Sequence, residues 1–341
     1  MLSKKIITVL GATGTQGGSV ARQFLSIPGW TVRGVTRSPS SAKAKALADR
    51  GVEIVQGDYE DVGSLEAAFA GTHAIFAVTD FYANHTRVTN DSALQEKAAA
   101  AGRSLEEYAG DLEKAQGINV AKAASNPTIL STLEKFVFST LAPVQKISGG
   151  KYKHSWEFDS KAAAESYMRA SPLNSVLSTV TMGVYQETWR DIGPFRAHKQ
   201  PDGTFEFVYM GAWAPAGGYP EVVASRDTGA FVEALVLRHP PGTHVLGVTE
   251  FISKPEYAAL WGRTLGVTAT ARDVSEEEYA RYLTPGMETS TLLDDLRFFG
   301  EFGYTGGNPE VKTPKELGIK TASLEDYFKS EDWSLVLDEK V

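Results

Sequence analysis

Cysteine is absent from all 341 residues. That excludes disulfides, thiolate nucleophiles and cysteine-ligated metal centres together. Long apolar runs are missing too, so no segment reads as a membrane span. The start, Met1-Leu2-Ser3, runs straight into a strand without a leader pattern. Positive charge is in the minority, 34 Lys and Arg against 42 Asp and Glu, for a net charge of −8. A negative surface repels phosphate backbones and anionic membranes unless a basic patch intervenes. No such patch is present, since Lys43 and Lys45 merely alternate with alanines. The six histidines lack metal-ligand spacing, so no metal site is expected. The expectation is a cytoplasmic protein, with entry to the nucleus left open, that binds neither nucleic acid nor membrane directly. In that setting the sequons at Asn84 and Asn90 carry no glycan.

What is present is an ordinary globular balance, 22% charged and 42% hydrophobic. The first 140 or so residues alternate short apolar runs with helical patterns, which predicts a parallel sheet covered by helices. The predicted strands are Lys5–Leu10, Thr31–Thr36, Val52–Val55, His73–Val78, Lys135–Ser139 and Ser175–Val180. Alanine-rich Ala42–Ala48 and Leu65–Phe69 are crossovers. The stretch Phe81–Ser125 exceeds a usual crossover; Ser104 and Glu107 predict a capping box ahead of Leu105, Tyr108 and Leu112. A second box, Ser253–Glu256, precedes Tyr257, Leu260 and Trp261. The fold class is α/β: a doubly wound parallel Rossmann sheet over residues 1–180, with a long insertion at 81–125. A smaller C-terminal α/β domain for substrate or partner follows over 181–341, with exchange of some strands and helices between the two left open.

Gly11-Ala12-Thr13-Gly14-Thr15-Gln16-Gly17 stands between the first strand and an amphipathic helix. Glycines spaced in this way let the backbone approach a diphosphate closely, while the helix N-terminus offers free N–H groups to the anion. The turn predicts dinucleotide binding through Gly11, Thr13, Gly14, Thr15, Gln16 and Gly17. About 20 residues later, where an NAD protein places a carboxylate on the ribose, this chain has Arg37, flanked by Thr36 and Ser38. A guanidinium favours a 2′-phosphate, so NADP(H) is the expected cofactor. Arg37 as a plain solvated strand end is the other reading. Asp58 is placed to accept from the adenine amine, or to cap its own loop.

At these residues the chain resembles the NmrA-like family, atypical members of the short-chain dehydrogenase/reductase superfamily, and specifically the fungal type. The resemblance runs through Gly11–Val20, Thr36-Arg37, Gln56-Gly57-Asp58 and the segment Ala77 to Tyr82. It continues in Lys151-Tyr152-Lys153-His154, Phe158-Asp159-Ser160-Lys161, and Met182-Gly183-Val184-Tyr185 with Trp189. It implies an NADP-binding domain, a smaller C-terminal domain and a cleft between them. Val78 and Thr79 are then expected at the cofactor.

A short-chain reductase uses a Ser to polarise the carbonyl, a Tyr to donate the proton, and a Lys four residues after that Tyr. By the resemblance, Ser139 and Lys161 fit the Ser and the Lys, with Lys161 also expected at the cofactor, either relaying the proton or only holding the ribose. The Tyr position holds Glu157. A glutamate serves as an acid only if burial raises its pKa, and beside Lys161 it is expected to be ionised. Tyr152 and Tyr82 are the tyrosines in reach, and Tyr152 joins Lys161 and Ser139 as a candidate catalytic residue. Tyr82, Met182, Tyr185 and Trp189 are expected to line an apolar substrate pocket, with Trp213 as a further aromatic and His154 near the cleft. Two functions stay open. One is NADPH-dependent reduction of a small hydrophobic carbonyl, enone or imine; the other is a non-catalytic NADP(H) redox sensor that docks a transcription factor or another regulatory protein. For the sensor, 81–125 is either a moving docking surface or a static cover. Oligomeric state is not specified by any of these patterns.

Overall fold

The computed structural model describes residues 4–283 and 289–339; the Met1-Leu2-Ser3 start lies outside the described residues. The chain first alternates β1 (Lys5–Val9), α1 (Thr15–Leu25), β2 (Trp30–Thr36), α2 (Ala42–Ala48), β3 (Glu53–Gln56), α3 (Val62–Phe69) and β4 (Ala74–Ala77). Helices α4 (Phe81–Asn90), α5 (Ser92–Ala100), α6 (Leu105–Ala124) and the short α7 (Pro127–Leu130) lead to β5 (Lys135–Thr140). Then come α8 (Val144–Ile147), α9 (Trp156–Arg169), β6 (Leu177–Met182), β7 (Val184–Tyr185), β8 (His198–Lys199), β9 (Phe205–Tyr209) and β10 (Tyr219–Val222). The last part holds α10 (Ala224–Leu237), β11 (His244–Gly247), β12 (Glu250–Ile252), α11 (Lys254–Leu265), β13 (Ala269–Asp273) and α12 (Glu276–Ala280). It closes with α13 (Thr289–Phe302), β14 (Val311–Lys312), α14 (Leu324–Ser330) and α15 (Ser334–Leu337).

Eight parallel strands form the main sheet in the order β14-β11-β6-β5-β4-β1-β2-β3. Six of them follow the doubly wound dinucleotide-binding order. Both faces are buried, and the strand period of two splits each strand between two cores. Ile7, Val9 and Phe76 pack on one side with Val20 and Phe24 of α1 and Phe231 of α10. Ile75, Phe136 and Phe138 pack on the other with Leu65 of α3, Val120 of α6 and Met168 of α9.

Residue 180 is not a seam. Strands β11 and β14 extend the main sheet beside β6, and α10 lies against α1, where Ser19 Oγ accepts from the Gly229 N–H at 3.0 Å. The rest of the C-terminal half forms two three-stranded sheets, β12-β10-β7 and β13-β9-β8. Their aromatic core contains Phe205, Phe207, Tyr257, Trp261 and Trp333. The stretch 81–125 is three helices, of which α6 is the crossover from β4 to β5 and α4 and α5 are the addition. The Ser253–Glu256 box forms completely; Tyr257 and Trp261 are buried behind it and Leu260 is half-buried. The Ser104–Glu107 box forms by half: Ser104 accepts from the Glu107 N–H, but the Glu107 carboxylate pairs with Arg103 instead of turning back. Among the described residues no helix is long and apolar enough to cross a membrane.

Candidate cofactor cleft and active site

The glycine turn closes over itself at the end of β1. Gly11 has φ +64°, a left-handed conformation that favours glycine. A Cβ on Gly17 would stand 2.2 Å from the Gly11 carbonyl oxygen, so any side chain there would force the turn open. Gly14 caps α1 with no side-chain bond, and the first helical closure is from the Gly18 N–H to the Gly14 carbonyl at 2.9 Å. The N–H groups of Thr15, Gln16 and Gly17 therefore have no intrahelical acceptor. The turn, with Thr13, borders a cleft of about 720 Å³ along the C-terminal edge of the sheet, where doubly wound folds hold ligands.

At one end of the cleft Arg37 follows β2, exposed and without a hydrogen bond or ion pair among the described residues. Ser38 sits beside it, its N–H bonded to Thr36 Oγ1 at 3.2 Å. Asp58 borders the cleft while accepting from the Glu60 N–H at 2.9 Å, so it caps its own loop and still faces the ligand space. Val78 and Thr79 form the floor beyond β4, and Thr79 Oγ1 is buried without a partner. A side-chain-free cradle, free helix amides and an unpaired guanidinium are what a phosphorylated dinucleotide requires. The residues present fit NADP(H), with Gly11 to Gly17 for the diphosphate and Arg37 for the 2′-phosphate.

The other end holds the ionisable groups. Ser139 borders the cleft from the end of β5 and is buried. Lys161 on α9 also borders it, yet its Nζ lies 2.5 Å from Oε1 of Glu113, a wholly buried residue of α6 that also accepts from Ser160 Oγ. One charge of the expected proton relay is thus already matched inside the protein. Glu157, one turn earlier on α9, is buried and faces the cleft. Tyr82 stands half-exposed in the cleft and donates its hydroxyl to Glu157 Oε1 at 3.2 Å. Asp295 of α13 lies against Glu157 and is likewise buried. Burial pushes the Glu157 carboxyl above the usual range; burial and the neighbouring Glu157 push Asp295 well above its own. Lys161 still favours the ionised form of Glu157, but burial works against it more strongly. Lys161 spends its charge on Glu113, and a second carboxylate the sequence did not reveal stands on the opposite side.

Met182 and Tyr185 line the cleft as expected, and Tyr185 accepts from the side-chain amide of Gln16, tying the pocket wall to the glycine turn. Four other candidates lie elsewhere. Tyr152 is buried behind the wall, donating to Glu301 Oε2 at 2.6 Å with its ring edge-on to Phe302, so it does not reach the reacting space. Trp189 is stacked on Trp333, ring centroids 4.4 Å apart, inside the C-terminal aromatic core. Trp213 donates to Glu276 at 2.9 Å, and His154 pairs with Asp294 at 2.8 Å; neither borders the cleft.

Glu113, Asp295, Phe299 and Tyr304 entered the site unannounced. For Asp295 a signal existed: Leu292, Asp295, Phe299 and Phe302 fall at helical spacing on one face, which puts a carboxylate on an apolar stripe. Tyr304 donates to the Met182 carbonyl at 2.7 Å and fixes that wall; nothing local marks it.

Residues 3–334 match the model of the NmrA-like family. The NmrA-like family domain-containing oxidoreductase hkm9 of Aspergillus hancockii is 27% identical over 329 residues, covering 93% of this chain and 88% of that one. Among solved structures, NmrA, a negative transcriptional regulator in complex with NADP, superimposes with a TM-score of 0.70 at 20% identity, covering 96% and 95% of the two chains. The NADPH-dependent quinone oxidoreductase QOR2 of Escherichia coli, complexed with NADPH, follows at 0.64 and 19%, covering 94% and 98%. At such identities the solved structures establish a common fold. By the match over nearly its whole length, the chain belongs to the NmrA-like family.

Proposed function

We propose that this protein is an NADP(H)-dependent reductase of a small hydrophobic substrate bearing a carbonyl, enone or imine. The observation that carries the reading is the continuity of one cleft. The glycine turn and Arg37 border one end, while Ser139, Lys161, Glu157 and Asp295 gather at the other beside the apolar Met182, Phe299 and Leu296. A nucleotide-binding module alone has no use for four ionisable or hydroxylic groups converging beyond the cofactor cradle. When bound, the dinucleotide supplies a hydride. The chain's own residues do the rest. Gly11 to Gly17 hold the diphosphate, Arg37 selects the phosphorylated ribose, and Ser139 polarises the substrate oxygen from the end of β5. The apolar wall excludes water from the reacting carbon. The oxidoreductase names of fungal relatives agree with this reading.

The test is nucleotide binding by calorimetry, then NADPH consumption with a panel of quinones, enones and cyclic imines. Preference for NADP(H) over NAD(H) together with turnover of at least one member is the expected result. Binding without any turnover would remove the reductase.

One observation favours a second reading. The reductase tyrosine is replaced by Glu157, and Tyr152 is turned away, so the usual constellation is not assembled. A redox sensor acting on a regulatory protein would need neither. Such a sensor must bind NADP⁺ and NADPH unequally, because a ligand with equal affinity for two states shifts nothing. Equal affinities, or partner docking indifferent to nucleotide, would count against it.

A further inference from the structure

Two carboxyl groups side by side in the wall of a cleft need an explanation. Glu157 is 6% exposed and Asp295 3%, and both border the cleft. Glu157 Oε2 and Asp295 Oδ1 are each buried without a hydrogen-bond partner among the described residues, and Ser155 Oγ, the hydroxyl beside Asp295, is buried without one too. Two ionised carboxylates in that arrangement would repel at close range, with only the single Ser155 hydroxyl beside them. One proton between them removes the repulsion and supplies the missing bond. The Tyr82 hydroxyl does not do this, because it gives its single O–H to Glu157 Oε1, the other oxygen.

We infer that Glu157 and Asp295 together hold one exchangeable proton at the inner end of the cleft and deliver it to the substrate, where ordinary short-chain reductases use a tyrosine. The inference rests on the reductase reading given above. The reduced nicotinamide dinucleotide gives a hydride to the electrophilic carbon and is oxidised. The π pair of the C=O or C=N moves onto the heteroatom, which takes the proton of the carboxyl pair. The substrate is reduced by two electrons, and the pair is left as two carboxylates until it regains a proton from water entering the cleft.

The surroundings suit this role. Tyr82 on α4 presents only lone pairs to the cleft once its hydrogen is committed, so it orients Glu157 and does not compete as a donor. Lys161, with Nζ 3.4 Å from the Glu157 carbonyl, lies close enough to lower the cost of the doubly ionised state. The other ionisable groups around Glu157 and Asp295 are Glu113 on α6, Asp159 on α9, Asp294 on α13 and Tyr304 beyond it. The carboxylates among them favour retention of the proton, and Lys161 opposes it. Burial raises both members of the pair, Asp295 the more strongly.

Infrared difference spectroscopy of the nucleotide-free protein tests the proton without any reaction. A protonated-carboxyl band at neutral pH, shifted in D2O and lost in both Glu157→Gln and Asp295→Asn, is expected. A wild type lacking the band overturns the inference. In turnover, Glu157→Gln should lower kcat by about 10²- to 10⁴-fold, the span of a lost general acid, with nucleotide affinity and circular dichroism unchanged. In the wild type kcat should fall as pH rises through the ionisation of the pair, and that limb should vanish in the variant. Should Glu157→Gln prove unfolded, Asp295→Asn carries the same expectation, since an amide donating to Glu157 would hold it ionised. A variant of wild-type kcat and pH profile overturns the donor role. A wild type that shows the band but reduces nothing overturns the reductase reading, and the donor role with it, while leaving the stored proton demonstrated.

Discussion

Arg37 is the residue on which cofactor choice turns. Its guanidinium is exposed at the cleft and makes no hydrogen bond or ion pair among the described residues. Replacing it removes a charge-assisted hydrogen bond worth about 1.5–3 kcal/mol. Arg37→Ala should weaken NADPH binding by roughly ten- to a hundredfold and leave NADH binding nearly unchanged, by calorimetry. Lys161 calls for a different expectation. With Glu113 wholly buried against it, Lys161→Ala leaves an unpaired internal charge, which costs about 3–5 kcal/mol of stability. Urea denaturation should show that loss, and Lys161→Met with Glu113→Leu should recover much of it. A fall in activity of the alanine variant alone therefore says little about catalysis. Asp159 supplies a pH test. Its carboxyl accepts from the Gln145 N–H at 3.1 Å, and burial raises it to about 6. The folded value lies above the unfolded one, so protonation favours the fold. That contribution is full below about pH 4 and is lost as pH rises through about 6. Against wild type, Asp159→Asn should gain on the order of 2–3 kcal/mol between pH 4 and 7, read from paired urea titrations.

Among the elements, α9 carries Glu157 and Lys161, and α6 sets its position. The two helices meet at Gly117, where an added Cβ would fall 2.5 Å from Ala164 Cβ. Helix propensity alone predicts that Gly117→Ala stabilises by about 1 kcal/mol. Overpacking of a closed contact costs about 1–3 kcal/mol, and it wins here because the obstacle is the Cβ of a short, rigid residue. Gly117→Val should lower the melting temperature and impair the cleft, seen as weaker nucleotide binding. The Ser253 cap does not itself border the cleft and makes a useful contrast. Ser253→Ala should cost about 1 kcal/mol and leave binding alone.

Across the whole molecule the sheet is finished by the C-terminal half. Strand β6 has β11 as its outer neighbour and α1 has α10 as its cover. A fragment of residues 1–180 would expose the β6 edge and the apolar face of α1, including Val20 and Phe24. It should show no cooperative melting. The intact chain should unfold in one transition, with tryptophan fluorescence and circular dichroism coincident.

The six amino-terminal strands and the glycine turn were legible in the chain because each is local. A strand buried on both faces needs an unbroken apolar run, and a turn against a diphosphate needs glycines at fixed offsets. Arg37 was legible for the same reason, since its distance from the turn is set by one helix and one strand. The C-terminal sheets left no such trace, because their short strands take their pattern from neighbours distant in sequence. Tyr152 and Trp189 looked like cleft residues from adjacency alone, and the packing of α13 and of the Trp333 core drew them elsewhere. Asp295 lies 138 positions after Glu157 in the chain and touches it only because α13 folds over α9. Local sequence determined where a dinucleotide can lie, since that depends on backbone shape within one βα unit. Tertiary structure alone decided which acid faces it, since a carboxyl's proton depends on the charges and water left around it once distant helices close.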